Sequence, residues 1–232
     1  MLPDRSISIL LEHQDFIAFE KPEGVSFHSE DGCGGFVEVV RKQCDHKTLL
    51  PVHRLDKGTS GVLLLAKTRE AAAELSKLFF TRAISKHYWA LSIKKPSKKQ
   101  GSVIGDLDRA RNGAWKLART RENPSETQFF SFGLGNGVRA FLVKPNTGKT
   151  HQIRVALKSI GAPILGDERY GGESADRMYL HATRLSFQYG GDSIHIDSLP
   201  ARGEHFESKV FRELLLGFDY EAQQWPHSKL KA

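Results

Sequence analysis

Val62-Leu63-Leu64-Leu65-Ala66 is an unbroken apolar run of strand length, and it constrains the fold more than any other stretch of the chain. A strand apolar on both faces must be covered on both, which places it inside a sheet rather than at its rim. The run is fed by Pro51-Val52-His53-Arg54-Leu55-Asp56-Lys57-Gly58-Thr59-Ser60-Gly61, a Gly-punctuated loop crowded with charged and hydrogen-bonding groups. Asp56 is its sole carboxylate, flanked by Arg54 and Lys57. A buried strand presenting a loop with one nucleophile-capable carboxylate is a way to build an active site.

Around that strand the pattern predicts many short elements. Ser6 to Leu11 and Phe16 to Glu20 read as a strand pair about the polar turn His13-Gln14-Asp15. Residues 29 to 35 form a Gly-rich loop, and Phe36 to Arg41 a short helix. Thr68 is placed to cap a helix over 69–80, with Ala72, Leu75 and Phe79 on one face. His87 to Ile93 alternates with period two, setting Tyr88 among the small residues Ala90 and Ser92. A cross-strand packing tyrosine is the simpler meaning of that spacing, and a platform for a ligand ring the other. Thr127–Phe132 and Val138–Lys144 flank Gly133-Leu134-Gly135-Asn136-Gly137 as a hairpin, with Asn136-Gly137 supplying positive φ. Gly148-Lys149-Thr150 resembles the end of a phosphate-binding loop, but Val143 stands where that motif needs glycine. A helix beginning near Thr150 fits better, with Ile153, Leu157 and Ile160 as its core stripe and His151, Arg154 and Lys158 on a polar face. Met178 to Phe187 reads as extended and Phe206 to Phe218 as one amphipathic helix, followed by a loose polar tail from Asp219. The class is mixed α+β, organised as one domain over residues 1–218 and a tail over 219–232.

Lys and Arg number 34 against 27 Asp and Glu, a net charge of +7 that favours a polyanionic partner. Two cysteines, Cys33 and Cys44, make no disulfide framework, and with His28 and His46 they fit no usual zinc spacing. No metal is expected. The N-terminus lacks a signal-peptide pattern and no apolar run reaches membrane-spanning length, so a cytoplasmic protein without a membrane partner is expected.

The wording His53-Arg54-Leu55-Asp56-x-x-Thr59-Ser60-Gly61 resembles the signature of the RluA-type pseudouridine synthases, and five further segments agree with the family's pattern. Asp15 to Gly24 looks like its entry strand and Lys-Pro-x-Gly turn, and Lys86-His87-Tyr88-Trp89-Ala90 is similar to the segment carrying its active-site tyrosine. Gly148-Lys149-Thr150-His151-Gln152-Ile153-Arg154-Val155 resembles Gly-Arg-Thr-His-Gln-Ile-Arg-Val. Pro163-Ile164-Leu165-Gly166-Asp167 and Leu180-His181-Ala182 complete the series. The match spans about Phe16 to His205. Departures are Val25-Ser26-Phe27-His28 at the end of the entry motif, Ala156 in place of a histidine, and Lys94-Lys95 in place of glycine.

The resemblance implies the pseudouridine synthase fold: a bent, mixed, largely antiparallel sheet in two lobes with a central RNA-binding cleft. It implies isomerisation of uridine in ribosomal or transfer RNA. The N1–C1′ bond breaks and the base rejoins through C5, with no redox change and hence no cofactor. Asp56 takes the place of the catalytic aspartate, attacking either ribose C1′ or base C6. Arg154 takes that of the arginine paired with it, and Tyr88 that of the tyrosine stacked on the base. Arg54, two residues from Asp56, would fill the space of the flipped nucleotide, and Leu180 would wall the uracil pocket. His53, Lys149 and His151 are further substrate-binding candidates. The segment before Ser6 is too short for the S4 domain many relatives carry, so the catalytic domain, as a monomer, would hold RNA itself. Lys94, Lys95, Lys98 and Lys99, with Arg109 and Arg111 near Trp115, suit backbone contacts and base stacking. On charge alone they would be a solvated surface. Two other classes compete: an RNA-binding protein of this fold without activity, and a nucleoside hydrolase that releases uracil. Retention of Asp56, Tyr88 and Arg154 together disfavours the first, and the lack of an aspartate cluster for metal disfavours the second.

Overall fold

The computed structural model describes residues 7–27, 35–44, 46, 48–228 and 230. In chain order they form β1 (Ile9–Glu12), β2 (Phe16–Lys21), α1 (Phe36–Gln43), β3 (Leu50–Pro51), β4 (Ser60–Ala66), α2 (Arg69–Phe80) and β5 (Ser85–Ser92). Then come β6 (Gln100–Gly105), β7 (Leu107–Arg109), β8 (Trp115–Leu117), β9 (Ser125–Gly135), β10 (Val138–Pro145) and α3 (Gln152–Ser159). β11 (Leu180–Tyr189), β12 (Asp192–Asp197), α4 (Glu204–Glu207) and α5 (Lys209–Leu216) follow. The class is mixed α+β, as expected. Two compact units divide it, one comprising the chain up to Lys86 with His181–Pro200, the other His87–Leu180 with the residues from Ala201.

In the first unit β4 is the central strand the apolar run predicts, and all seven of its residues are buried. β2 runs antiparallel along one side of it. On the other side β11 pairs in parallel at Ser60 and Gly61, and β3 pairs at Leu65 and Ala66. β1 extends the sheet beyond β2, and β12 extends it beyond β11. Thr68 caps α2 by accepting from the Ala71 N–H at 3.1 Å, and the helix lays Ala71 and Leu75 on a core of Phe16, Val62, Leu64, Leu185 and Phe187. Gly61 is required where β4 meets β11. Its φ is +109°, and a Cβ there would lie 2.1 Å from the Ala182 carbonyl oxygen.

The second unit carries the antiparallel order β5–β10–β9–β6. The β9–β10 turn uses Asn136 and Gly137 at φ 49° and 78°, as the hairpin reading required. Trp89, Ala90, Phe141, Leu157, Ile164, Phe206 and Phe211 close the core.

Two expectations change. The single helix over 206–218 is two, because Ser208 leaves helical geometry and its Oγ accepts from the Phe211 N–H at 3.4 Å, restarting the chain as α5. The tail beyond Asp219 is not loose. The Tyr220 hydroxyl accepts from Trp89 Nε1 at 2.9 Å, the Pro226 carbonyl accepts from Gln128 Nε2 at 2.6 Å, and Trp225 packs against Phe130. The basic stretch 94–121 includes β6 and the β7–β8 hairpin. Ser6, His28, Cys33 and most of the Gly-rich loop lie outside the described residues. Among the described residues no helix is long and apolar enough to cross a membrane.

Candidate active site

The Asp56 loop is held by its main chain. Lys21, at the end of β2, is fully buried, and its ammonium donates to the carbonyls of Pro22 at 2.8 Å, Lys57 at 3.2 Å and Thr59 at 2.9 Å. A buried ammonium needs acceptors for its donors, and here the loop's own carbonyls supply them. Gly24 N–H adds a bond to the Lys57 carbonyl at 2.9 Å, and Thr59 N–H closes a turn on the Asp56 carbonyl at 3.0 Å. Leu55 is buried beside it. The Lys-Pro-x-Gly turn is thus a clamp on the residues after Asp56, leaving that carboxyl half-buried and Arg54 exposed. Below the loop, buried His181 meets Ser60 Oγ through Nδ1 at 2.8 Å and the Ser198 carbonyl through Nε2 at 3.0 Å.

His53, expected on the substrate, instead spends its ring inside the first unit. Nε2 accepts from the Leu64 N–H at 2.9 Å, and the ring stacks on Phe79 at 4.4 Å between centroids. Burial, aided by the charge of Lys86, pushes its pKa from 6.5 to about 3. The neutral ring is therefore built into the fold. Between pH 6.5 and 3 the unfolded chain gains a proton that the folded one does not, so stability falls as pH falls through that window. One such group contributes a slope of about 1.4 kcal/mol per pH unit. His53→Gln, which keeps an acceptor for Leu64 but does not titrate there, should lose less stability than wild type between pH 6.5 and 4. Urea midpoints across that range measure it, and identical profiles would remove His53 as the cause.

In the second unit Tyr88 is half-buried on β5, opposite Val143 of β10, while Leu180 is buried at the start of β11. Arg154 does not lie on a solvated helix face. It is 9% exposed, and it donates from Nε to Asp167 Oδ2 at 2.7 Å and from Nη2 to Oδ1 at 2.8 Å. Guanidinium carries five N–H donors, and this two-point grip fixes its plane while taking two of them. Sequence reasoning missed Asp167, which it placed only as the end of Pro163–Asp167. Its acid type thirteen residues from Arg154, beside a glycine turn, was the available signal.

Gln152 was missed as well. Its Oε1 accepts from Thr147 Oγ1 at 2.7 Å and Lys149 N–H at 3.0 Å, and its Nε2 donates to the Glu126 carbonyl and Thr127 Oγ1, both at 3.0 Å. This buried amide pins the turn 147–149 to the start of α3. His151 just before it sits at φ 56°, and its Nδ1 meets the Tyr170 hydroxyl at 2.7 Å. Lys149 Nζ donates to the Asn123 carbonyl.

Of the basic set, Lys95, Lys98 and Lys99 are exposed, and Lys94 pairs with Glu173 at 3.5 Å. The loop is seated rather than floating: Pro96 is buried and Ser97 N–H donates to the Ile160 carbonyl at 2.8 Å. Arg109 and Arg111 are exposed on the β7–β8 hairpin, Arg109 lying 5.7 Å from the Trp115 ring centroid.

Residues 15–159 match the family described as RNA pseudouridylate synthase. An uncharacterized RNA pseudouridine synthase of Haemophilus influenzae is 48% identical over 211 residues, which cover 90% of this chain and 94% of that protein. Ribosomal large subunit pseudouridine synthase C of Vibrio parahaemolyticus is 32% identical over 194 residues, 78% of this chain and 61% of that longer protein. The solved structure of human RNA pseudouridylate synthase domain containing 1 superposes with a TM-score of 0.71 at 26% identity, covering 87% of this chain and 86% of the other. The chain belongs to the RNA pseudouridylate synthase family, of the RluA type, and is accordingly an RNA-modifying isomerase.

Proposed function

We propose that the protein converts particular uridines of structured ribosomal or transfer RNA to pseudouridine, with Asp56 as nucleophile. The observation that carries this reading is the clamp: buried Lys21 binds the carbonyls of Lys57 and Thr59, so the carboxylate between them and Arg54 is aimed by the main chain. Arg154 supplies an oriented cation, and Tyr88 a ring for the uracil to lie against. The target atoms are hidden within a stacked helix, so the nucleotide is flipped out at a cost of roughly a few kcal/mol, with Arg54 filling the space it leaves. Leu180 supplies an apolar wall, and Lys149 and His151 contact the RNA near α3. The Vibrio relative's name favours large-subunit ribosomal RNA. The protein works as a monomer in the cytoplasm, without cofactor.

The atoms balance as an isomerisation: N1–C1′ breaks, C5–C1′ forms, the C5 proton leaves to water and N1 takes up a proton from water. RNA from cells lacking the gene, labelled with tritium at uridine C5, should therefore release tritium when the purified protein is added. Pseudouridine maps with and without the gene then name the site. No tritium release, or release of uracil itself, would overturn the reading.

The exposed lysines make a second expectation. Replacing Lys94, Lys95, Lys98 and Lys99 with alanine should weaken RNA binding and flatten its salt dependence, by roughly 0.7 to 0.9 in log–log slope per lost phosphate contact. Filter binding from 50 to 300 mM salt tests it. An unchanged slope would mean these side chains are only solvated.

A further inference from the structure

The β7–β8 hairpin and Arg154 are tied to the same four residues. Asp167 grips the Arg154 guanidinium from both of its oxygens. Three residues on, Tyr170 is buried to 1% exposure, and its hydroxyl accepts from the Trp115 N–H of β8 at 2.9 Å. That hydroxyl also meets His151 Nδ1 at 2.7 Å, immediately before α3. The Arg154 guanidinium carbon lies 4.9 Å from the Tyr170 ring centroid, and Lys158 Nζ lies 5.7 Å from it. Between them Arg169 donates to the Gly113 carbonyl, at the hairpin's turn, over 3.2 Å. Segment 167–170 thus holds the hairpin from one side and the buried arginine from the other.

Such an arrangement does more than hold a core together. The hairpin is short, polar and exposed, with Arg109, Arg111 and Lys116 outward and its turn at Asn112 and Gly113 in left-handed geometry. It has little apolar surface of its own, so its position depends on what it is docked to. A buried hydroxyl between two partners has one geometry that satisfies both, and a shift of the hairpin must move His151 or break a bond. We propose that Tyr170 is a positioning residue that couples the RNA grip of the hairpin to the aim of Arg154. RNA drawn onto Arg111 and Lys116 settles the hairpin, and Tyr170 passes that placement to the start of α3. The inference rests on the reading of Arg154 as part of the site.

The test is a double-mutant cycle in steady-state tritium release, using C5-labelled total RNA from cells lacking the gene. Tyr170→Phe removes the hydroxyl and keeps the ring beneath both cations. Arg111→Gln with Lys116→Gln removes hairpin charge. Each should lower kcat about tenfold, and the combination should also lower it about tenfold rather than a hundredfold, because the two act through one joint. The hairpin change should raise KM equally in both backgrounds, since phosphate contacts do not pass through Tyr170. Arg169→Ala, which cuts the second tie at an exposed side chain, should give the same kcat pattern in a chain of wild-type thermal stability. Multiplying kcat losses, or a Tyr170→Phe enzyme with wild-type kcat, would overturn the proposal. A wild-type protein that releases no tritium would instead overturn the parent reading.

Discussion

Asp56→Asn should abolish tritium release while leaving the fold and RNA affinity nearly unchanged. Asparagine has the shape of aspartate but not its charge, and an amide is a poor nucleophile toward either ribose or base. The loop should keep its course, because Lys21, Gly24 and Thr59 hold it through carbonyls of the main chain. Loss of a nucleophile in other enzymes costs at least about a thousandfold in turnover, or roughly 4 kcal/mol of barrier. Single-turnover tritium release, with circular dichroism and filter binding alongside, separates chemistry from folding. A variant within tenfold of wild type would remove Asp56 from the reaction.

Where the sequence spoke plainly it did so through local rules. The run 62–66 could only be a covered strand, Thr68 could cap α2, and Asn136-Gly137 could turn a hairpin, since each depends on neighbours in the chain. The β7–β8 hairpin was illegible for the opposite reason. Leu107 and Leu117 are its only large aliphatic side chains, and it is held by distant groups. Tyr170 binds Trp115, while Asp106 accepts from the Glu122 and Asn123 N–H groups at 3.0 Å each. The tail's docking likewise rests on single aromatics, Tyr220 and Trp225, that no periodicity marks. In the site, motif resemblance named Asp56, Tyr88 and Arg154, but helical spacing set Arg154 on a solvated face. Its partner Asp167 sits beyond the end of α3, where spacing says nothing. His53 shows the converse, a motif residue whose Nε2 serves Leu64 of its own fold, a bond that motif resemblance does not reveal.

Arg154 then separates charge from geometry. Arg154→Lys keeps a cation but replaces a planar fork with a point charge on a flexible stem, and lysine cannot reproduce the parallel bonds to Asp167. Turnover should fall well over tenfold with RNA affinity little changed. Asp167→Asn is the complementary cut: it leaves the guanidinium in place and removes the carboxylate that fixes it. Breaking a buried pair by neutralising one partner costs about 3–5 kcal/mol of stability. A chain of this length loses roughly 2–4 °C of Tm for each of those. Asp167→Asn should therefore melt lower than Asp56→Asn, and its turnover should fall with that of Arg154→Lys although every arginine is present. Calorimetry and single-turnover rates on both variants decide it. A lysine enzyme at wild-type rate would reduce Arg154 to background charge. An Asp167→Asn enzyme that melts low but turns over normally would confine Asp167 to the fold, leaving Arg154 to be aimed by something else.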